Sequence, residues 1–562
     1  MSEEERQVYI RRSQLLLPLA ALALVAFAAW RASYGATAYD DSHYAATALH
    51  LAQGARPFAD EMSIQSPGFV LAAPFARLWT ALFGMTGLVL ALREFYVVLA
   101  ALVGFAIYRL LRPSFGRVAI VAAVAPLLGV PYNVFGISYN TSALFGFTLA
   151  VCLGFAALRD DSPHFAGLAG AATAFGSISY PPLAVGGIVF AATFMLVARR
   201  RRLILWLLAG ALTVSTGYAV WYFAGASLRD IRRALDYSAL VWQQNRSRGV
   251  RMARLPQHIA GVFAALKFAA VWVLALLAAV PAVPRRLRGW ALAAVPVAAV
   301  VPGIVRWVVG QPFYYYGAWP TASLLVLTLG LAIPITARAI AQRGDSARLL
   351  LLAAPISAVN VTLVAVSTTS AWYRAIAFIG IAPLTVAMLA IWAASVAEEI
   401  RRPVVVGVAS SAIVLALVSM LATLSFFEPP PAQLHVRVRN GAFAGIATTP
   451  EHARKYVAIG AAAQRTVRPG DRVLVIAPPA YILLAGGRVD TNSAWWTDRA
   501  PERATIDYLT RDGGLPDVVF VSAGVFRVPP ERLPERDPLV VWVMGRYRRV
   551  GADDYAVVFV RR

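Results

Sequence analysis

The chain of 562 residues is far more apolar than a soluble protein. Hydrophobic residues make up 59% of it, charged residues only 14%, and the mean hydropathy is +0.63. A soluble domain is about 45–50% apolar and about 25% charged. The net charge of +23 comes mostly from arginines that lie between apolar runs. This composition excludes a soluble globular enzyme, a disordered chain and a fibrous repeat. It indicates a polytopic membrane protein with no nucleic-acid partner.

The apolar runs predict 13 transmembrane helices. The first, 15–30, follows a basic N-terminus, so we expect that end in the cytoplasm; a cleaved signal peptide ending near Ala36-Thr37-Ala38 is the alternative. The remaining predicted spans are 94–111, 117–132, 141–157, 164–179, 181–198, 203–225, 259–280, 289–308, 319–337, 349–367, 376–396 and 403–426. With this alternation the arginine-rich loops face the cytoplasm and the C-terminal segment lies outside. The single cysteine, Cys152, excludes a disulfide framework.

Two large outer loops are predicted, at about 31–93 and about 226–258. The apolar stretch Pro67–Phe83 of the first loop is expected to lie at the membrane interface. A span there would move the arginine cluster that follows it to the outside.

The character of the sequence changes after the prolines at 429–431. A helical stretch, Glu451–Thr466, then alternates with β-rich runs. We therefore predict a transmembrane module, 1–427, and a soluble extracytoplasmic α/β domain, 428–562. The domain lacks GxGxxG and P-loop motifs. Its predicted strand runs are Arg472–Ile476, Asp517–Val521, Leu539–Val543 and Ala556–Val560.

An acidic pair, Asp40-Asp41, follows the first span on the outer side. Carboxylates at a membrane surface are often simply solvated. The alternative is that they supply a general base or bind a divalent cation. No HExxH or similar ligand spacing accompanies the pair, and the histidines at 43, 50 and 258 are interpreted as ordinary polar loop residues.

The segment around this pair resembles the GT-C glycosyltransferases. It is most similar to the bacterial relatives of protein O-mannosyltransferases and lipid A aminoarabinose transferases. That group has an acidic pair, a tyrosine three residues beyond it, a short helix ending near glycine, a Pro-aromatic-x-Asp segment and a Pro-Pro or Pro-Gly turn. The matching residues in this chain are Asp40, Asp41, Tyr44, Gly54, Pro57, Asp60, Pro67 and Gly68. The 13-span layout, the long first loop, the external C-terminal domain and the aromatic segment Phe313–Pro320 also match.

The resemblance implies a GT-C-like fold and an inverting transfer from a polyprenyl-phosphate sugar. The arginine-rich composition is compatible with arabinose or mannose as that sugar. The acceptor would be an envelope glycan, lipid or protein at the outer face of the inner (plasma) membrane. Asp40 aligns with the general base of the family, and Asp41 would position the acceptor or a divalent cation, with no other cofactor implied. Four further residues of the first loop are candidates for contact with the substrates: Tyr44, Asp60, Glu61 and Gln65.

Two positions depart from the family pattern. Gln65-Ser66 stands where the aminoarabinose transferases have Lys-Pro, and Ser138–Thr141 lacks the second carboxylate that relatives often carry. A lipid phosphate therefore needs an arginine, which binds it through two parallel hydrogen bonds. The main candidates are Arg254 and Arg306, the latter followed by Gln311 and Tyr315; Arg93, Arg246, Arg248 and Arg251 are further ones. Contacts with lipid headgroups and an interfacial aromatic belt are the alternatives.

Two other functions stay open at this point. A transporter or lipid flippase would place ionisable residues within spans and contain internal repeats, and few such residues and no obvious repeat are visible. A non-catalytic envelope-assembly protein would act through its external domain.

Overall fold

The computed structural model of the protein describes most of the chain. The described residues are 19–37, 40–61, 63, 65–130, 134–245, 269–308, 318–342, 344–367, 380–400, 403–423, 428–476, 480–491, 506–507, 509–510, 515–522, 538–552 and 556–562.

The described part of the chain up to residue 423 is helical, with short 3₁₀ turns between some helices. The helices are α1 Leu19–Ala32, α2 Asp40–Ala52, α3 Ala73–Phe83, α4 Leu88–Phe115, α5 Ile120–Ala123, α6 Ala125–Leu128, α7 Tyr139–Asp160, α8 Pro163–Ser179, α9 Ala184–Val197, α10 Arg201–Phe223, α11 Leu228–Asn245, α12 Ala269–Ala279, α13 Arg285–Val308, α14 Ala318–Gln342, α15 Asp345–Ser367, α16 Ala382–Ile400 and α17 Pro403–Thr423.

Each predicted span coincides with one or more of these helices. Within the described residues, five helices are long and apolar enough to cross a membrane: α4, α7, α10, α16 and the part Asp345–Val364 of α15. Six shorter apolar helices lie at six further predicted spans: Leu19–Ala32, Arg117–Leu128, Pro181–Val197, Ala269–Ala279, Leu327–Ala339 and Val405–Leu415. A mostly helical membrane architecture is thus confirmed, whereas the exact count of 13 stays a prediction.

Glycines allow α7, α8 and α10 to pack closely. A Cβ atom on Gly170 of α8 would overlap the carbonyl of Leu207 in α10, and one on Gly146 of α7 would lie 2.8 Å from Gly176 of α8. Small residues permit such close approach of helices, which is the usual way that membrane helices associate. This contact fixes the ends of α7 and α8 relative to each other.

The loops predicted to face the cytoplasm meet at one end of the helical bundle. Arg159 donates a hydrogen bond to Leu110 O at 2.8 Å, and Ser114 Oγ donates to Asp345 Oδ2 at 2.5 Å. Further ion pairs join loops of the same group: Arg200 with Asp161, Arg285 with Glu398, and Arg338 with Glu399. Since loops on opposite sides of a membrane cannot touch, these contacts agree with the predicted alternation of spans.

The C-terminal region contains a mixed sheet of five strands. The strands are β3 Arg472–Ile476, β4 Arg488–Thr491, β5 Val518–Ser522, β6 Tyr547–Ala552 and β7 Ala556–Arg561. Their order in the sheet is β4-β3-β5-β7-β6. Strand β3 is parallel to β4 and β5, while β7 is antiparallel to β5 and β6. Before the sheet lie a small pair, β1 Val436–Arg437 and β2 Ala447–Thr448, and the predicted helix, α18 Pro450–Thr466; two further helices are α19 Ala480–Ala485 and α20 Pro538–Arg546.

One predicted strand run, Leu539–Val543, is wrong, because it lies in helix α20. Leu539, Val540 and Val543 are buried in the core on one side of the sheet, whereas Val541 is exposed. This spacing fits one face of a helix, and Pro538 is suited to the first helical turn. Packing against the sheet thus overrides the strand preference of the β-branched residues.

The C-terminal region packs directly against the first loop. Gly35 N donates to Ala447 O at 2.9 Å, and Ala447 N donates to Ser33 O at 2.8 Å. The Gln53 side chain, just beyond α2, bonds to Gly487 O and to Val489 N, at the start of β4. One hydrophobic core includes residues of both parts. The two therefore lie on the same side of the helical bundle, as predicted; the division at residue 427 stays a prediction.

Candidate active site

Helix α2 carries the acidic pair in its first turn. Ser42 Oγ donates to Thr37 O at 2.5 Å, which ties the start of α2 to the chain that precedes it. A negative charge in the first turn is stabilised by the helix dipole. Positions 40 and 44 are one turn apart and share a face of α2. The side chains of Asp40 and Asp41 lie outside the described part of the structure.

Tyr44 of α2 lies at the centre of a buried aromatic cluster. The other sides of the cluster are formed by the start of α7 and by the 3₁₀ turn Ser66–Phe69. Its ring contacts those of Phe69 and Tyr139, with centroids 5.6 Å and 6.5 Å away. Tyr139 in turn packs edge-on against Tyr180, at 4.9 Å, beyond the end of α8. The predicted substrate contact at Tyr44 thus lies within a buried aromatic layer, one helical turn beyond Asp40 along α2.

Asn140 adds an amide to this layer. Its Nδ2 atom lies 3.5 Å from Tyr44 OH, and its Oδ1 atom is buried without a hydrogen-bond partner among the described residues. Ser138 caps α7 through a reciprocal bond with Thr141, which fixes the position of Asn140. The sequence identified this segment only as lacking a carboxylate. A buried amide oxygen without a partner is costly, so it is suited to accept a hydrogen bond from a substrate hydroxyl.

The histidines of α2 are core residues, which corrects their interpretation as polar loop residues. His43 is buried against the edge of Phe69 at 5.6 Å, and Thr47 Oγ1 lies 3.5 Å from its Nδ1 atom. His50 Nδ1 lies 3.1 Å from Glu61 Oε2, with side chains only 4% and 1% exposed. Glu61, a predicted substrate contact, therefore lies in the interior of the first loop, and its side chain joins this part of the loop to α2.

The Pro-Gly turn of the family motif fits tightly against α7. Ser142 Oγ donates to Gly68 O at 2.9 Å, and a Cβ atom on Gly68 would overlap the backbone of Tyr139. Gln65 precedes the turn, and its Oε1 atom is buried without a partner among the described residues. The turn thereby holds the first loop against the aromatic layer and leaves one amide oxygen of Gln65 free to bind.

A second polar group lies at the outer end of α10. Arg56 packs against Gly225, where a Cβ atom would overlap its guanidinium, and Phe58 packs against Tyr222 at 6.1 Å. Arg56 Nη1, Tyr222 OH and Tyr218 OH are all buried, with no hydrogen-bond partner among the described residues. We call Arg56, Tyr218 and Tyr222 the Arg56 group. It presents a guanidinium and two hydroxyls, which suits an anionic oxygen.

Sequence reasoning missed the Arg56 group because it sought cations in the second loop and at span ends. The available signal was the position of Arg56 directly before the Pro57-Phe58 motif. Asp60, from the same motif, is exposed, and its Oδ2 atom accepts a hydrogen bond from Arg56 N at 2.8 Å. Asp60 therefore shapes the turn that presents Arg56.

Of the other arginines predicted to bind phosphate, the structure describes the side chain of Arg93 only. Arg93 is buried and donates to Ala32 O at 2.7 Å and Gly35 O at 2.5 Å, so it holds the backbone of the first loop. Arg306 lies in α13, with its side chain outside the described part. Six further predicted residues lie outside it entirely: Arg246, Arg248, Arg251, Arg254, Gln311 and Tyr315. Within the described residues, no group of three His, Cys, Asp or Glu side chains is arranged to hold a metal ion.

No protein-family model matches the chain, and the search of curated proteins returns no significant match. Two solved structures of ArnT from Cupriavidus metallidurans align with it. The form bound to undecaprenyl phosphate is 13% identical over 97% of both chains, with a TM-score of 0.44. The apo form is 12% identical over 98% of both chains, with a TM-score of 0.39. Similarity at this level does not establish a common activity. Both alignments extend over nearly the whole length of this chain and of ArnT.

Proposed function

We propose that the protein is an integral membrane glycosyltransferase. It moves a sugar from a polyprenyl-phosphate donor to a cell-envelope glycan, lipid or protein on the extracytoplasmic face. The observation that carries this proposal is the layer of buried polar groups under the first turn of α2. Asn140 Oδ1 and Gln65 Oε1 have no partner among the described residues, and both belong to segments that pack around Tyr44. Such groups suit the hydroxyls of a sugar held beside a carboxylate.

In the proposed reaction, Asp40 is the general base. It takes the proton from an acceptor hydroxyl as the oxygen attacks C1 of the donor sugar. The bond between C1 and the phosphate oxygen breaks, and the lipid phosphate leaves with the electron pair. A single displacement of this kind inverts the configuration at C1. Asp41 positions the acceptor or a divalent cation.

The Arg56 group is proposed to bind the phosphate of the donor. Arg56 Nη1 is buried without a partner among the described residues, and a guanidinium can donate two parallel hydrogen bonds to a phosphate. Tyr222, only 2% exposed, adds a hydroxyl from α10. Arg254 and Arg306, with Gln311 and Tyr315, stay candidates for the same role or for contact with lipid headgroups.

The proposed location on the extracytoplasmic side follows from the contacts between loops. The first loop and the C-terminal region are joined at Gly35 and Ala447, while the arginine-rich loops are joined to one another, for example at Arg338 and Glu399. Arginine-rich loops are retained in the cytoplasm. The site formed by the first loop is therefore proposed to face outward from the inner membrane, as is the C-terminal region.

The test is sugar transfer by the purified full-length protein. It is supplied in detergent with radiolabelled polyprenyl-phosphate arabinose or mannose and an envelope extract as acceptor, and labelled acceptor and free polyprenyl phosphate are measured. Asp40→Asn keeps the shape of the side chain and removes its basicity, so turnover is expected to fall on the order of 10²–10⁴-fold. Asp236→Asn is the control, because Asp236 is an exposed carboxylate of α11 in the second outer loop.

Two results would contradict the proposal. Near-normal transfer by the Asp40→Asn, Asp41→Asn double variant would exclude this site. Movement of the intact lipid-linked sugar across vesicle membranes without transfer would instead indicate a flippase. A larger loss in Asp41→Asn than in Asp40→Asn would mean that the two carboxylates have exchanged roles.

A further inference from the structure

We propose that the C-terminal region positions the catalytic acidic pair by clamping the residue Ala36. The clamp consists of Glu428, Thr448, His452 and Tyr456, and we call it the Ala36 clamp. The inference rests on the proposed function, in which Asp40 is the general base. It assigns Glu428 and Tyr456 as positioning residues, although neither lies in the helical bundle that carries the site.

Both backbone polar atoms of Ala36 are bound by side chains of the C-terminal region. Ala36 N donates to Glu428 Oε2 at 2.9 Å, and Tyr456 OH donates to Ala36 O at 2.5 Å. Ala36 itself is fully buried. A peptide held on both sides in a buried environment has little freedom to move, because breaking either bond leaves an unpaired buried group.

The two side chains that hold Ala36 are themselves fixed. Glu428 Oε1 accepts a hydrogen bond from Thr448 Oγ1 at 2.5 Å and lies 2.6 Å from His452 Nδ1; the Glu428 side chain is 0% exposed. Tyr456 stacks on Phe443 with ring centroids 4.5 Å apart and an angle of 10°. His452 and Tyr456 are four residues apart in α18 and so share one face of that helix.

The position of the clamp along the chain connects it with the acidic pair. Ala36 precedes Asp40 by four residues, and the intervening Thr37 is bonded through its carbonyl to Ser42 Oγ in α2. The chain is therefore fixed both immediately before the pair and within the first turn that contains it. The described residues between α1 and α2 form no helix or sheet of their own beyond a single bridge to Ala447. Arg93 and Ala447 hold the backbone at residues 32–35, and the clamp extends this support to Ala36, nearer the acidic pair.

Rigidity at this point bears on the rate, since a displacement of about 1 Å in a catalytic group can cost about 10²-fold. We expect Tyr456→Phe and Glu428→Gln each to lower kcat by about 10-fold to 100-fold. The KM for the donor should stay unchanged, because the Arg56 group is not touched. Glu428→Gln preserves the size of the side chain and one acceptor oxygen, so it tests the clamp if Tyr456→Phe fails to fold.

The matched control is Tyr547→Phe. Tyr547 OH donates to Pro516 O at 2.9 Å, a buried bond between tyrosine and a carbonyl like that of Tyr456. It joins two residues of the C-terminal region, whereas the bond of Tyr456 reaches the first loop. This variant should leave kcat unchanged. An equal loss of kcat in Tyr547→Phe and Tyr456→Phe would show a general loss of folding and overturn the inference.

A double-mutant cycle with Asp40 separates positioning from other roles. If Tyr456 acts only through Asp40, Tyr456→Phe should cause no further loss of turnover in an Asp40→Asn background. The inference would be overturned if the loss of turnover in the double variant equalled the product of the two single losses, or if Tyr456→Phe alone left kcat unchanged. Near-normal turnover by the Asp40→Asn, Asp41→Asn double variant would instead refute the proposed catalytic site itself, so the two failures are distinguishable.

Discussion

Replacing His50 with alanine should destabilise the first outer loop by about 1–3 kcal/mol, the usual cost of leaving a buried polar group without its hydrogen-bond partner. The side chains of His50 and Glu61 are 4% and 1% exposed, and the change removes the contact of 3.1 Å between them. Ser63 N still donates to the other carboxylate oxygen, Glu61 Oε1, at 3.3 Å. A buried carboxylate that loses a hydrogen bond cannot replace it with a bond to water, so the loss costs free energy.

The single cysteine provides the assay. Cys152 is fully buried in α7, so a thiol-reactive dye becomes fluorescent only when the protein unfolds. His50→Ala should lower the midpoint of thermal unfolding of the full-length protein in detergent by several degrees. Substituting both residues, as His50→Leu with Glu61→Leu, should recover most of the loss, because replacing both partners of a buried polar contact by apolar groups can be nearly neutral.

The same pair distinguishes two roles for Glu61. If Glu61 only supports the loop, Glu61→Gln should lower the unfolding midpoint slightly and leave the donor KM unchanged. If it contacts the donor, the KM should rise while the midpoint stays constant. An unchanged midpoint in His50→Ala would refute the reasoning, since the carboxylate would then be hydrated or paired in another way.

Three further predictions concern packing, phosphate binding and topology. Gly68→Ala should destabilise the protein by about 1–3 kcal/mol in the dye assay, because the new methyl overlaps the backbone of Tyr139; Gly460→Ala, where a Cβ atom meets nothing within 4 Å, is the control and should not destabilise. Arg56→Gln should raise the KM for the donor. Arg56→Lys should also have a higher KM than the unsubstituted protein, because an ammonium cannot form the two parallel bonds. A KM for the donor that is the same in both variants and in the unsubstituted protein would exclude Arg56 as the phosphate ligand. A reporter that is active only in the cytoplasm should be silent when fused after Arg562, and a strong signal would contradict the proposed side of the site.

The helical architecture was largely predictable because the burial of a membrane helix depends on the composition of a contiguous run. The predicted span 141–157 coincides with α7, for example, and α10 covers nearly all of 203–225. The strands were less predictable, since strand preference depends on the surroundings. Leu539–Val543 is rich in β-branched residues and nevertheless forms part of a helix, because only that conformation packs Leu539, Val540 and Val543 together against the sheet.

The motif residues of the candidate site were found from the sequence because they lie close together in the first loop. Asp40, Tyr44 and the Pro67-Gly68 turn follow one another in a recognisable order. What sequence alone did not give is which of the loop's polar residues are buried inside it. Glu61 is a charged residue of the kind expected to contact a substrate. Its contact with His50, 11 residues earlier, nevertheless places it in the interior of the loop.

By itself, the sequence thus determined the membrane class, most helices and the acidic segment, since each depends on residues that are neighbours in the chain. Only the tertiary structure decided how Asn140 meets Tyr44 across 96 positions, or how Tyr456 reaches Ala36 across 420. The tertiary structure alone also showed that the guanidinium of Arg56, from the first loop, packs against Gly225 just beyond the end of α10. Burial and hydrogen bonding of a polar side chain depend on which distant segments pack around it, and no local pattern encodes that environment.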